Sequence, residues 1–584
     1  MKYAAVILFA IPLAAQNPTP TYVHDIAPIL YKNCAPCHRP GESAPFSLLT
    51  YEDAKKHARQ ITAVTHSRYM PPWLPQPGYG DFADERRLTD GQIQLISAWV
   101  NVNAPEGPVS ESPVPPHFTE GWQLGPPDLI LEASHPFTLS ASGPDVFWNF
   151  IYKPHIPATR YVKAIEIRPG DKRIVHHANL IIDRVHSAEK QESEPGVGFS
   201  GMDLDIQSSV FDPAGHFLFW KPGSVPRVEP DGFAWRLEPG NDLVLNTHLQ
   251  PTGKPEQVKP SIGLYFTDKP QTQLPILVQL EHDGALRIPA GDRDFLVADD
   301  FRMPMDADVL AVYPHAHYLG KLLEGYATLP DGKRVWLIRI TDWDLNWQAV
   351  YRYRQSVFLP KGTVISMRYH YDNSTANPRN PNSPPRMVEA GNQATDEMGH
   401  LWLQMLLQGP GDRRRELEEV LVQHRIQKYP EDGMAYLDLG ALMLSRLETQ
   451  SAVPVLEKAV LLRPKDSQPR NLLGAALSRV GRLTEATTDF QIALKLDPAN
   501  VNARYNLVFA LVKSGKLDEA VDNLKEVVAA YPEDPALRNL WGELLSQEGK
   551  YPAAIAQFDK AIALKPDFED ARKNRDLTLA RMNK

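Results

Sequence analysis

The sequence predicts a multidomain protein with a small helical domain first, an all-β region of two sandwiches next and a helical solenoid last. Three observations predict this order. Amphipathic helical patterns fill residues 20–107, short alternating runs fill residues 128–409, and residues 412–584 repeat at a fixed helical period. At 584 residues the chain is also too long for one hydrophobic core, since domains commonly contain about 150 residues.

Composition narrows the class of protein. A hydrophobic content of 43% and a charged content of 23% are ordinary for a globular chain. The net charge of −9 argues against nucleic acid as the main partner. No stretch of about 20 apolar residues follows the N-terminal region, so we expect no membrane span.

The chain opens with MKYAAVILFAIPLAAQ, which is typical of a signal peptide over residues 1–15. Lys2 supplies a short positive region, an apolar run follows, and Ala14 and Ala15 offer small residues for cleavage. A buried N-terminal strand or helix is the alternative interpretation. We therefore expect a periplasmic or otherwise secreted protein.

Residues 20–107 carry a C-x-x-C-H motif formed by Cys34, Cys37 and His38, which include both cysteines of the chain. Two thiols at this spacing can form thioethers to the vinyl groups of a haem, while the histidine binds the iron. A redox disulfide is the alternative, but it would normally lie in a βαβ setting, which is absent here. The motif predicts one covalent haem c.

Met70 is the predicted sixth ligand of that haem. It precedes two prolines, which would hold a thioether ligand in a rigid loop, and Met1 is the only other methionine before residue 200. His57 and His66 are competing candidates. The segment 20–107 resembles a small class of bacterial cytochrome c domains, and this resemblance implies electron transfer. The Pro-rich residues 108–127 predict a linker.

Residues 128–409 alternate apolar and polar side chains in runs such as VKAIEIRP, DLVLNTHLQ and VISMRYHYD, with turn residues between them. The length suits two β-sandwiches. We place them at residues 128–272 and 273–409, with a break near Pro270–Pro275.

This β region also carries metal-binding side chains in four separate pieces. They are His176 with His177, His248, His315 with His317, and Met398. His315 and His317 lie two apart, so on a strand both imidazoles point to one face and can meet one metal. The adjacent His176 and His177 would face opposite sides, unless a bulge or the use of different ring nitrogens brings them together.

The type of ligand favours copper. Imidazoles with a thioether and no thiolate suit a copper ion that passes through Cu(I). A blue-copper site needs a cysteine ligand, and both cysteines belong to the haem motif. Zinc can use three histidines but would leave the methionine unexplained. Taken singly, each of these side chains also has a structural interpretation.

The series resembles the copper type II, ascorbate-dependent monooxygenases, the family of the peptidylglycine and dopamine hydroxylases. The resemblance covers roughly residues 135–408 and includes the surrounding IPAG, LGK and DEM segments. It implies two coppers and their ligands. One copper would be held by His176, His177 and His248, and the other by His315, His317 and Met398.

The same resemblance implies two jelly-roll-like sandwiches, one copper on each, facing across a solvent-filled gap. The first copper would relay an electron, and the second would serve hydroxylation of a C–H bond with O2, so an external electron donor is required. Tyr313 replaces the arginine and Trp402 the substrate-facing tyrosine of peptide-amidating members, and the chain lacks their disulfides. A peptidylglycine substrate is therefore not expected.

Two further histidines, His370 and His400, lie near the second ligand set in sequence, and we interpret both as supporting or structural residues. The leading functional prediction is a copper monooxygenase with a fused haem electron carrier, acting on a substrate that the sequence does not reveal. One rival is an electron-transfer protein without hydroxylase activity. The other is a scaffold in which the C-terminal repeats bind proteins.

Those repeats occupy residues 412–584 and have a period of 34 residues. Prolines keep the period at Pro430, Pro464, Pro498, Pro532 and Pro566. The segment resembles the tetratricopeptide repeat family, whose helix–turn–helix unit has this length. Each unit buries its apolar face only against its neighbours, so the resemblance implies a solenoid with a possible protein partner.

Overall fold

The structure is a computed structural model that describes residues 19–184, 186–201, 215–281 and 284–583. The predicted signal peptide lies outside these residues. The chain divides into two compact units, Met1–Asp412 and Arg413–Lys584. Within the described ranges, no helix is both long and apolar enough to cross a membrane.

A helical segment opens the first unit, as the sequence predicts. After a π-helical turn at Tyr22–Ile26 come α1 (Ala27–Asn33), α2 (Tyr51–Lys56), α3 (Ala58–His66) and α4 (Asp90–Asn101). Thr89 caps α4, because its side chain accepts the Gln92 N–H while the Gln92 side chain accepts the Thr89 N–H. The segment has its own apolar core, in which Ile26, Leu30 and Trp99 are fully buried.

The first β module follows the Pro-rich segment. Its strands are β1 (Leu129–Glu132), β2 (Phe137–Leu139), β3 (Val146–Tyr152), β4 (Arg160–Arg168), β5 (Val175–Asp183), β6 (Phe199–Ser200), β7 (Phe219–Trp220), β8 (Trp235–Leu237), β9 (Asp242–Leu249), β10 (Glu256–Val258) and β11 (Ser261–Thr267). They form the sheets β1-β11-β4-β8 and β6-β3-β9-β5-β7, with β2 and β10 as a separate pair. One apolar cluster draws side chains from both larger sheets, so these sheets share a core.

The second β module repeats this arrangement. Its strands are β12 (Pro275–Leu280), β13 (Arg287–Ile288), β14 (Phe295–Arg302), β15 (Ala307–Ala316), β16 (Gly320–Thr328), β17 (Arg334–Ile340), β18 (Tyr351–Leu359), β19 (Val364–Tyr371), β20 (Val388–Glu389) and β21 (Gly399–Leu407). The sheets are β12-β21-β15-β18 and β14-β19-β16-β17, and β13 pairs with β20. The change of module falls between Thr267 and Pro275, where the sequence predicts a break.

The loop between α3 and α4 packs against β18 of the second β module. Phe82 forms an isolated antiparallel bridge with Tyr353, and its neighbour Ala83 donates its N–H to the Arg352 carbonyl at 2.8 Å. The ring centroids of Trp73 and Tyr351 lie 5.3 Å apart. The helical segment therefore contacts the β region through backbone bonds as well as aromatic rings.

The second unit contains helices in antiparallel pairs. They are α5 (Arg414–Lys428), α6 (Gly433–Ser445), α7 (Thr449–Leu462), α8 (Ser467–Arg479), α9 (Leu483–Leu496), α10 (Val501–Lys513), α11 (Leu517–Ala530), α12 (Pro535–Gln547), α13 (Tyr551–Leu564) and α14 (Glu569–Met582). Glycine recurs at the period of 34 residues at Gly440, Gly474 and Gly542, with Val508 between the last two. Two of these glycines have a packing reason, because a Cβ on Gly474 would lie 2.7 Å from the Phe490 ring and one on Gly542 2.5 Å from the Phe558 ring. Where Val508 replaces the glycine, the position of the aromatic ring holds the smaller Leu524.

Candidate metal centres

Three predicted ligands, His176, His177 and His248, come together on two neighbouring strands of the first β module. Strands β5 and β9 are antiparallel, and His177 lies directly opposite His248. The register shifts between Val175 and His177, so His176 is the extra residue of a β-bulge. A bulge is one of the two conditions under which adjacent histidines can share a metal.

The three rings converge through the same nitrogen. Nδ1 of His176 lies 3.1 Å from Nδ1 of His177 and 3.1 Å from Nδ1 of His248. The potential ligand atoms of all three residues lie within 4.8 Å of one another. A metal bound tetrahedrally by nitrogens at about 2.0 Å holds them roughly 3.3 Å apart, so this spacing suits a single ion.

Burial keeps the rings of this first centre in the form that binds metals. Burial, followed by the charge of His248, lowers the pKa of His176 to about 4. Burial also lowers the pKa of His177 well below its usual value. At neutral pH both imidazoles are therefore neutral, with a nitrogen lone pair that a metal can use.

Asp145 orients His248 through the Nε2 atom of its ring, and no pattern in the sequence marks this aspartate. Its Oδ2 accepts hydrogen bonds from Nε2 of His248 at 2.8 Å and from Nε2 of Gln250 at 3.2 Å. Burial raises the pKa of this carboxyl, but the bond and the charge of His248 lower it, and the net shift is downward. Since Nε2 of His248 carries the donated proton, Nδ1 keeps its lone pair for the centre.

The second centre lies where β15 meets β21. His315 is directly opposite His400, and Ala316 is opposite Gly399. His317 and Met398 each lie one residue beyond this last pair. The ring centroid of His315 is 6.1 Å from that of His400 and 5.4 Å from that of His317.

Both histidines of this pair are held through Nδ1. The Nδ1 of His315 lies 2.9 Å from Oε1 of Gln348, and that of His317 lies 3.1 Å from the Asp396 carbonyl oxygen. Both partners are acceptors, so each Nδ1 carries the proton. Nε2 is consequently the nitrogen that could bind a metal here, in contrast to the Nδ1 atoms of the first centre.

Glu397 fixes the backbone around the second centre. Its carboxylate is fully buried and accepts the backbone N–H groups of His317, Leu319 and Met398, the last two at 2.9 and 2.8 Å. One side chain therefore ties the end of the H-x-H strand to the segment that carries the methionine.

We expect Glu397→Gln to lower the free energy of unfolding by about 2–4 kcal/mol, because an amide NH2 would then face backbone N–H donors. Chemical denaturation measures this change. Glu389→Gln is the matched control, since Glu389 forms an exposed ion pair with Arg287 and should change stability by less than about 1 kcal/mol. Equal effects of the two variants would contradict the role of Glu397.

The side chains of β19 near this centre separate into two groups. Tyr369 and Tyr371 point inward from β19 and donate to the carbonyl oxygens of His400 and Met398, at 3.0 and 2.9 Å. His370, between them, faces the other way and contacts an exposed carboxylate at 2.6 Å. Its ring therefore contacts Asp294 and not the side chains of the second centre.

Tyr313 and Trp402 lie opposite each other beside His315 and belong to one small apolar cluster with Phe217. Burial raises the pKa of Tyr313 far above its usual value. The side chains beside His315 therefore form an apolar surface.

The haem motif forms a tight turn at the end of α1. The backbone N–H groups of Cys37 and His38 both donate to the Cys34 carbonyl, at 3.1 and 2.9 Å, and both cysteines are free thiols. Nδ1 of His38 lies 3.2 Å from the carbonyl oxygen of Phe46. This bond places the proton on Nδ1 and leaves Nε2 as the nitrogen for an iron ion.

Cationic side chains lie beside this motif, at a cavity of about 1300 Å³. Arg86 donates to the Gly223 carbonyl at 2.7 Å, and a Cβ on Gly223 would lie 2.7 Å from the sulfur of Cys37. Burial, then the charge of Arg86, lowers the pKa of Lys221 to about 8. Arg86 and Lys221 therefore place two cationic side chains near the sulfur of Cys37.

The candidates for the sixth haem ligand occupy different places. His57 stacks on the Phe46 ring, with 3.8 Å between the ring centroids, and the Phe46 ring lies 4.8 Å from that of His38. His66 is exposed at the end of α3. Met70 lies in the following loop, and its N–H donates to the Val64 carbonyl at 3.1 Å. Met70 therefore stays the predicted sixth ligand, with His57 and His66 as its competitors.

Comparison with known proteins identifies one part of the chain. The tetratricopeptide repeat family model matches residues 477–544. The second unit contains tetratricopeptide repeats. No curated protein matches the sequence.

Solved structures of repeat proteins cover about a quarter of the chain. YrrB, described as having an unusual peptide-binding site, is 25% identical over 28% of this chain and 84% of its own, with a TM-score of 0.26. MamA of Desulfovibrio magneticus is 25% identical over 26% and 85%, with a TM-score of 0.25. A thermophilic repeat protein of Thermus thermophilus is 22% identical over 29% and 91%, with a TM-score of 0.24.

Deleting residues 430–584 should leave the haem and copper spectra unchanged but remove a partner or dimer contact. Repeats contact mainly their neighbours, and the two units are separately compact, so the loss should not reach the β modules. Visible and electron paramagnetic resonance spectra measure the first part, and light scattering with affinity capture the second. Loss of both metal signals would show that the repeats stabilise the metal-binding unit.

Proposed function

We propose that the chain is a periplasmic or otherwise secreted copper-dependent monooxygenase that hydroxylates a C–H bond with O2. The observation that carries this proposal is the convergence of His176, His177 and His248 through Nδ1 atoms 3.1 Å apart. A second pair, His315 and His317, lies in the other β module, with ring centroids 5.4 Å apart, and Met398 directly precedes the strand that pairs with theirs.

The two candidate centres differ in a way that suits separate roles. Three imidazoles form the first, while the second would combine two imidazoles with a thioether, which favours Cu(I). Bound copper would supply electron transfer and the activation of O2. The protein holds each ring in one tautomer through Asp145, Gln348 and the Asp396 carbonyl.

Substrate specificity follows from the wall of the second centre. Tyr313 and Trp402 present an apolar surface beside His315. A substrate bound there would present a C–H bond from an apolar group, without a carboxylate held by arginine. Its identity is a question for a product screen.

The helical segment would serve this reaction as an electron carrier. Cys34 and Cys37 lie in the turn that precedes His38, and Met70 lies in the loop after α3. We propose that the two cysteines would bind a c-type haem covalently and that His38 and Met70 would hold its iron, which an external donor would reduce.

A second candidate function is a scaffold that binds proteins through the C-terminal repeats. It is favoured by the match of residues 477–544 to the tetratricopeptide family, which supports protein binding more directly than any comparison supports hydroxylation. An electron-transfer protein with haem and copper but without hydroxylase activity is the remaining alternative.

The deciding experiment loads the full chain with copper, reduces it with ascorbate and measures O2 consumption together with hydroxylated products from a substrate panel. We expect consumption that depends on substrate and is lost in His315→Ala. O2 consumption without any product would favour the electron-transfer alternative. Zinc in the native centres, with copper giving no activity, would overturn the monooxygenase proposal.

A further inference from the structure

Gln348 lies between the two candidate centres and contacts one predicted ligand of each. Its side chain is 1% exposed. Oε1 is 2.7 Å from the Tyr313 hydroxyl and 2.9 Å from Nδ1 of His315. Nε2 is 3.3 Å from Nδ1 of His177. A single amide therefore links strands of the two β modules.

The hydrogen-bond pattern fixes the orientation of this amide. Tyr313 donates its hydroxyl proton to Oε1, and the protonated Nδ1 of His315 donates to the same oxygen. The NH2 group then faces His177 and donates to the lone pair on its Nδ1. The reversed amide would turn Oε1 toward Nδ1 of His177, which would then need a proton in place of the lone pair that a metal requires.

The backbone around Gln348 is held firmly to the strand of the second centre. Gln348 directly follows a 3₁₀ turn, Leu345–Trp347, and the Asp344 carboxylate accepts the Asn346 N–H at 3.0 Å within it. The preceding Trp343 donates its Nε1–H toward the Ala316 and His317 carbonyls, each at 3.1 Å. The amide is thus positioned by the same backbone that positions the H-x-H pair.

We propose that Gln348 couples the loading of the two centres by opposing metal at the first and favouring metal at the second. This inference rests on the proposed function, because it requires that both centres bind copper. The Nδ1 lone pair of His177 that accepts the Gln348 NH2 also faces Nδ1 of His176, so a metal in the first centre displaces that hydrogen bond. At the second centre, Gln348 keeps the proton on Nδ1 of His315 and so presents Nε2.

The proposal predicts that Gln348→Leu changes the metal affinities of the first and second centres in opposite directions. The first centre should bind metal about fivefold more tightly, because one ordinary hydrogen bond no longer competes for His177. The second centre should bind about tenfold more weakly, because His315 loses the acceptor that orients it. A residue that only fills space would weaken both centres.

Cu(I) is the probe, titrated anaerobically into the full chain in competition with a chromophoric chelator. The first centre is measured alone in a His315→Ala background, and the second alone in a His248→Ala background. Gln404→Leu is the matched control, because Gln404 is equally buried but bonds to Gly215 and Arg352 instead of a histidine. We expect both affinities to stay within twofold of the parent value in this control.

Equal losses at both centres, or no change at either, would overturn the coupling. Gln348→Glu provides a second test if the leucine variant does not fold, since it keeps the acceptor for Tyr313 and His315 but removes the NH2 donor. Its second centre should bind Cu(I) within twofold of the parent protein, and its first more tightly; any other pattern contradicts the proposal. If the His315→Ala and His248→Ala proteins bind no Cu(I) while Gln348 is unchanged, the proposed copper function itself fails. That result differs from a failure of the coupling alone, in which both proteins still bind Cu(I).

Discussion

Replacing His248 by Ala should remove one of two bound coppers and leave the other in place. The side chain is 5% exposed and supplies one of three Nδ1 atoms, so its loss leaves two imidazoles that bind an ion far more weakly. His315→Ala should remove the other copper. Copper per chain, measured by mass spectrometry of the purified protein, should fall from about two to about one in each variant.

The electron paramagnetic resonance spectrum should show that the two variants lose different ions. Their Cu(II) spectra should add up to that of the parent protein, because the ligand sets share no residue. His186→Ala is the control, since His186 belongs to another metal-capable group, with Glu189 and Asp242, outside the predicted centres. Copper loss from this control, or the same remaining spectrum in both variants, would contradict the assignment.

Met398→Leu tests the thioether separately. This change should leave Cu(II) bound at the second centre but weaken Cu(I), because only the soft ligand is lost. A Cu(I) affinity equal to that of the parent protein would exclude Met398 as a ligand.

Short-range patterns in the sequence predicted the parts of these centres that depend on local geometry. A strand brings residues two apart to one face, which placed His315 with His317. A repeat of 34 residues predicted the helical pairs of the second unit, and the structure gives the reason for its glycines, which face the rings of Phe490 and Phe558.

Other residues of the two centres are far apart in the sequence and meet only through the pairing of distant strands. Asp145 is 103 residues from His248 and reaches it only because β3 pairs with β9. Gln348 is 171 residues from His177, and Glu397 is 80 from His317. Glutamine and glutamate have no spacing rule that marks them as partners of a distant ligand, so only the fold reveals these residues.

The bulge at His176 is an intermediate case. Adjacent histidines on a regular strand point apart, so the pair indicated either an irregular strand or two structural residues. The shift of register after Val175 decides between these alternatives. No glycine or proline marks the bulge. The sequence therefore showed that the two histidines need an irregular strand to share a metal, but not that the strand is irregular there.

The largest effect in the helical segment should come from the double variant Cys34→Ala with Cys37→Ala, which should contain no covalently attached haem. Both thioether bonds require a thiol, and the chain has no other cysteine to replace one. Either single variant should attach haem weakly, and His38→Ala should abolish normal iron ligation. Denaturing electrophoresis with haem staining measures attachment. A stained band in the double variant would show that the motif does not hold haem.

Met70→Ala should leave the haem attached but lower its reduction potential and change its reduced spectrum. Attachment depends on the thiols beside His38, whereas a thioether on the opposite side of the iron stabilises the reduced state. Met387→Ala is the control, because Met387 is 51% exposed and lies in the second β module. Spectroelectrochemical titration measures the reduction potential and the reduced spectrum of the haem in both variants. An unchanged reduced spectrum in Met70→Ala would exclude Met70 and would leave His57 and His66 as the candidates to test next.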